Sequence, residues 1–216
     1  LDGAGGAIQT TFYDPNKRAF RGGEITGTND AWIDANIGTN SFAWGSNPEA
    51  SATNSIAMGN EATASGFSSI ALGFDAQASG ASSISIGRLS ESSGSGSFAM
   101  SESTSSGGSS RAFGINSTSS GFGSSAFGYE VVAGTGVAQS SNLNPDVGNF
   151  SMAFGIGNPS TATYPQVSAN ESAAFFFGDQ QGEDITATNV LALEGGSLLL
   201  SNDSGTGCVA AKAGAL

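Results

Sequence analysis

A chain of 216 residues with 33 glycines, 18 acidic against 6 basic residues and no histidine lies far from an average globular composition and directs attention first to internal repeats. The acidic balance argues against binding to nucleic acid or anionic lipid, which rely on clusters of Lys and Arg. The lack of histidine removes the commonest general base and metal ligand, along with every Ser-His-Asp or Cys-His arrangement.

Residues 1–35 contain TFYDPNKRAFRGG and EITGTNDAWID, which hold Tyr13, Phe20 and Trp32 beside Lys17, Arg18 and Arg21. They open with neither a Met nor the basic and apolar stretches of a signal peptide, as in a mature or excised piece. This segment reads as an N-terminal cap, because the first coil of a solenoid otherwise presents an unpaired edge and a bare apolar column. The alternative is a docking segment that meets a preceding fibre module through Arg18, Arg21 and the aromatics.

Residues 36–136 are repetitive. The strings SFAWG, SIAMG, SIALG, SISIG and SFAMS start at Ser41, Ser55, Ser69, Ser83 and Ser97, a spacing of fourteen residues. A second glycine follows seven residues after the first, pairing Gly59 with Gly66, Gly73 with Gly80 and Gly87 with Gly94. The ladder continues through Gly114, Gly121 and Gly128 after losing one residue, and echoes as SMAFG at Ser151 to Gly155.

Within each first half Ser55, Ala57 and Gly59 share one face while Ile56 and Met58 share the other, which is the period of a strand. The second halves, EATASG and DAQASG, alternate Ala62 and Ala64, or Ala76 and Ala78, with polar residues. Each coil is therefore two short strands and two turns, with glycines at the corners where positive φ is needed.

The expected core places the large residues Ile56, Met58, Ile70, Leu72, Ile84, Ile86, Phe98 and Met100 inward against the alanine pairs. The Ser and Ala face would then lie outside, flat enough for identical rolls to approach. Roughly eight coils stacked about 4.8 Å apart make a rod about 35–40 Å long. Two medium side chains per coil repay little of the ordering entropy of fourteen residues, so an obligate oligomer is expected.

The S-x-A-x-G then A-x-A-x-G pattern at fourteen-residue spacing, from about Asn36 to Gly136, resembles the head repeat of YadA-type trimeric autotransporter adhesins, which also occurs in bacteriophage tail-fibre proteins. The resemblance implies an all-β fold, a left-handed parallel β-roll, assembled as an intertwined or side-by-side homotrimer. No neck motif, heptad stalk or membrane-anchoring barrel follows the repeats, so these residues are not expected to insert into a membrane themselves.

Residues 137–178 break the register. SSNLNPDVGN and GNPSTATYP mark surface loops, which either decorate a coil or carry recognition. AAFFFG at Ala173 to Gly178 is expected to be buried between subunits. Residues 179–216 hold two apolar runs separated by Gly195 and Gly196, a segment expected to close the trimer. The single Cys208 has no internal partner and no assigned role.

Carboxylates such as Asp75, Glu91, Glu102, Asp179, Glu183 and Asp184 fall at turn or loop positions, where solvation is the ordinary explanation and acid–base work on a sugar the lesser one. Asp179, Glu183 and Asp184 cluster in sequence, but no calcium nonapeptide, EF-hand or P-loop is present. No catalytic, cofactor or metal site is expected. Thr161 to Thr163 and Thr186 to Thr188 are too few for an ice-binding array. The expected function is non-enzymatic: an extracellular trimeric head on a bacterial surface that attaches to a host protein or glycan. The alternatives are a virion fibre beside neighbouring fibre proteins, or a structural spacer.

Overall fold

The computed structural model describes residues 7–26, 30–134, 150–156, 166–176, 184–187 and 189–194. They form an all-β solenoid with a single short 3₁₀ turn at Asp34–Asn36 and no α-helix among the described residues. It opens with a hairpin of β1 (Ile8–Asp14) and β2 (Ala19–Ile25), joined in antiparallel register, and β2 then pairs in parallel with β3 (Phe42–Ser46). From there each coil adds one strand to a twelve-stranded sheet and one two-residue strand to a nine-stranded sheet.

The register follows the repeat. In the long sheet Ile56 lies beside Ile70 and Ile70 beside Ile84, while in the short sheet Thr63 lies beside Gln77 and Gln77 beside Glu91. The lost residue appears as a coil of thirteen, since Phe98 pairs with Arg111 and Glu91 with Thr104.

The interior reverses the expected assignment. Ala43, Ala57, Ala71, Ala99, Ala112 and Ala126 are fully buried, as are Ala62, Ala64, Ala76 and Ala78 and the leading serines Ser55, Ser69 and Ser83. Ile56, Met58, Ile70, Leu72, Ile84, Ile86, Phe98 and Met100 point away from this interior, and Met58 is 41% exposed. The physical reason is width: in the regular coils the two short strands, joined by tight glycine-containing corners, lie too close together for a large side chain on either. One cross-section is Ser69, Ala71, Ala76 and Ala78.

The next cross-section is wholly serine: Ser83, Ser85, Ser90 and Ser92. The hydroxyls of Ser85, Ser90 and Ser92 bond to one another and to the backbone. Ser85 Oγ donates to the Ser90 carbonyl at 2.7 Å and lies 2.9 Å from Ser90 Oγ, and Ser92 Oγ donates to the Ile84 carbonyl at 2.6 Å. Further along, Ser105 and Ser110, and Ser119 and Ser124, pair at 2.7 Å. A polar core is tolerable here because most of these buried hydroxyls find an acceptor nearby, although Ser69, Ser83 and Ser97 Oγ have no partner among the described residues.

The two glycine series have different causes. Gly59 has φ of 137°, and a Cβ there would fall 2.0 Å from the Gly73 carbonyl oxygen. Gly66, Gly80 and Gly94 are outside the left-handed region, contrary to the positive φ expected at every corner, yet a Cβ on Gly66 would fall 2.1 Å from the Gly80 oxygen. They are glycine because backbone passes over backbone.

The left-handed corners fall instead on Asn40, Asn47, Asn54, Glu61, Ser68, Asp75, Ser82 and Leu89, every seventh residue, with φ between 48° and 60°. Asn and Asp suit that conformation; a bulky Leu does not.

At the N-terminal end, Arg21 occupies the register position of the alanine column, opposite Ala43, and is fully buried. Its guanidinium donates to the carbonyls of Phe20 at 2.9 Å, Ser41 at 3.3 Å and Ala50 at 2.9 Å, and to Ser41 Oγ at 2.8 Å. Burial pulls its pKa down to about 10, against an opposing pull from Asp14, so it stays charged at neutral pH. Arg21 is therefore not available as a docking residue. Trp32 covers the same end, with Nε1 donating to the Pro48 carbonyl at 3.3 Å.

Two substitutions test these causes. Gly66→Ala is expected to cost at least about 2 kcal/mol although its φ is permissive, because the methyl meets a carbonyl. Leu89→Gly is expected to raise stability by roughly 1 kcal/mol by relieving a left-handed Leu. Denaturant midpoints at constant m-value measure both.

Candidate functional site

Alternation leaves every strand with an outer face, and the two sheets present opposite chemistry there. Along the short sheet the outward residues are Glu49, Thr63, Gln77, Glu91, Thr104, Thr118, Val132, Gln166 and Asp184. That face is polar, as a solvated face should be. Along the long sheet the outward pairs are Phe42 and Trp44, Ile56 and Met58, Ile70 and Leu72, Ile84 and Ile86, Phe98 and Met100.

The stripe continues as a stack of rings. Phe113, Phe127, Phe154 and Phe175 lie one above the next, with centroids 5.1, 4.9 and 5.0 Å apart and planes within 8° of parallel. At the other end Phe20 stacks on Phe42 at 5.4 Å. The spacing is that of successive parallel strands, so identical side chains in one column are forced into register. Trp44 is 45% exposed and Leu191 69% exposed. A contiguous apolar face of this length marks an interaction surface.

The eight large residues expected to fill the core are therefore the components of this stripe. A signal for the reversal was present in the sequence. The S-x-A positions hold small residues in coil after coil, whereas the alternate column runs Trp44, Met58, Leu72, Ile86, Met100, Phe113. A roll of constant bore accepts the invariant series inside and leaves the variable one outside.

The carboxylates are dispersed. Asp75 Oδ1 accepts from Gln77 Nε2 at 3.1 Å, Glu102 pairs with Arg88, and Asp184 Oδ1 accepts from Ser168 Oγ at 2.6 Å. Glu91 lies exposed on the polar face. No group of three or more Cys, Asp or Glu residues able to hold a metal occurs among the described residues. Asp179, Glu183, Cys208, the 137–149 loop, Thr161 to Thr163 and the end of the chain lie outside the described residues. Among the described residues no helix is long and apolar enough to cross a membrane.

The inside and outside positions make a direct prediction. Ala71→Leu, directed into the bore, is expected to cost about 3 kcal/mol. Leu72→Met, directed outward at near-constant volume, should cost under about 1 kcal/mol; thermal unfolding of the two variants side by side gives the comparison.

The chain matches no curated protein by sequence. The model of the YadA head domain repeat matches residues 50–76, 64–90 and 78–100, successive windows stepped by one fourteen-residue coil. Those windows are the coils in which the small interior, the glycine corners and the apolar stripe are most regular. YadA heads are β-rolls that form exposed, structural parts of adhesins, and residues 50–100 of this chain are similar to their repeat.

Proposed function

We propose that the chain is a non-enzymatic fibre head in which three copies pack through the apolar stripe of the long sheet and present the polar faces outward for attachment to a cell or host surface. The observation that carries this reading is the asymmetry of the two outer faces: the long sheet offers Phe, Trp, Ile, Leu and Met along its length, and the short sheet offers Glu, Thr and Gln. A rod of small-residue bore contributes little apolar burial of its own, so a second hydrophobic layer is what the fold lacks. Threefold association is the state known for YadA-like heads.

On this reading the segment 1–35 caps the rod, Arg21 closing the bore and the β1–β2 hairpin covering the first coil. Attachment works by avidity: three copies of each exposed element raise the effective concentration of weak contacts. A host protein or glycan is the partner class, and the site of action is outside the cell. A virion fibre built on the same trimer is the other assembly that this surface chemistry serves.

Sedimentation equilibrium tests the assembly. The expected result is a single species of three chain masses, and the double variant Ile70→Asp, Ile84→Asp is expected to sediment as a smaller species, because six carboxylates would enter an apolar interface. A monomeric wild-type chain would refute it. Attachment is then read by immobilising the trimer against cell-surface proteins and glycans. Saturable capture by the trimer, lost in the double variant, supports the adhesin reading, and an inert trimer assigns the chain to a structural fibre.

A further inference from the structure

The apolar stripe is interrupted once by charge. In the column Ile56, Ile70, Ile84, Phe98 the next coil carries Arg111, followed by Ser125. Arg111 is exposed, and its guanidinium has no hydrogen-bond or ion-pair partner among the described residues. The contrast with the neighbouring cation is direct: Arg88, at a corner, pairs with Glu102 from the following coil. The described outward pairs of the long sheet from Phe42 to Phe175 include no carboxylate.

An arginine cannot shed its proton to enter an interface, and a buried guanidinium without a counter-charge is among the most destabilising groups a fold can hold. In a closed threefold assembly symmetry brings three such groups to one level. Their shell is then Phe98 and Phe113, whose rings meet edge to face at 4.9 Å, with Ser125 on the following strand. Nothing in that shell is negative.

We propose that Arg111 from three copies forms an anion site inside the assembly, taking a small oxyanion, or a halide larger than the strongly hydrated fluoride, from solution. The inference rests on the threefold reading above. The planar fork of guanidinium suits a tetrahedral oxyanion, to which it donates two N–H groups at once. The Ser125 hydroxyl is the one other donor on the adjacent strand at that column. The anion is a structural counter-ion: it neutralises the ring and converts a destabilising level into one that fixes the axial register of the three rods, since any slip by a coil separates the guanidinia and puts each against an apolar neighbour. It also makes assembly dependent on anion supply, which an outward-facing ion pair such as Arg88 with Glu102 does not.

The test uses the full chain, titrated with sodium sulfate against sodium fluoride at constant ionic strength. Thermal unfolding is followed for the wild type, Arg111→Ser and Arg111→Ile, the last placing at this level the residue type that Ile84 already supplies in the same column. The wild-type melting temperature is expected to rise saturably by roughly 3 °C or more, with only the shallow non-saturating response of a generic salt effect in both variants. Crystals soaked in bromide are expected to show an anomalous peak on the threefold axis at Arg111 in the wild type alone. A trimeric wild type whose sulfate response matches that of Arg111→Ser overturns the anion site and leaves the trimer standing, as does electron density showing Arg111 paired with a carboxylate of a neighbouring copy. A wild type that sediments as a monomer overturns both.

Discussion

The close passage of backbone over backbone at the corners governs the rest of this molecule. A Cβ on Gly59 would fall 2.0 Å from the next coil's carbonyl and one on Gly66 would fall 2.1 Å from its neighbour, so the coils close only where no side chain stands at these points. Corners this tight bring the two strands of a coil together, and Ala and Ser fill the space between them through the regular coils, with Val131, Val167 and Phe176 entering the core only towards the far end. The hydrogen bonds run coil to coil even through the corners, with Ser68 N donating to the Thr53 carbonyl at 3.0 Å and Asp75 N to the Asn60 carbonyl at 2.8 Å. The rod is held chiefly by backbone pairing and close packing of small groups, and less by burial of large side chains.

From that narrow bore the location of the apolar surface follows. Through the regular coils large residues do not go inward, and the alternation of a strand gives them the outer face of the long sheet. The columns then stack like on like, as Phe113, Phe127, Phe154 and Phe175 do. The short sheet, with two-residue strands and a polar outer face, is the solvated side. Folding and association are linked because the chain's main hydrophobic surface is directed away from its own core.

The fourteen-residue period, the two strands per coil and the loss of one residue after Ser97 were legible in the sequence because they are written as strict spacings. Which face turns inward was not legible from alternation, which distinguishes two faces without ranking them; only the unvarying small S-x-A series ranks them. A rule that large apolar residues go inside fails where the bore is set by glycine corners. The left-handed corners were hidden for another reason: Glu61, Ser82 and Leu89 are not residues that announce positive φ, and only their common spacing of seven betrays them. The docking alternative drew on Arg21 because an arginine in AFRGG looks solvated, whereas the end of the solenoid offers it the carbonyls of Ser41 and Ala50, which accept from its guanidinium in addition to their backbone bonds.

Trp32 and Trp44 are the two tryptophans of the chain, one buried at the N-terminal end and the other 45% exposed on the stripe of the single chain. Acrylamide quenching of their emission in the native protein tests most directly whether the large-residue face lies between copies. The account predicts that both indoles are shielded, with quenching near that of a buried tryptophan, and that the Ile70→Asp, Ile84→Asp variant opens one of them. A wild-type chain in which one tryptophan quenches freely would contradict it, since the stripe would then face water.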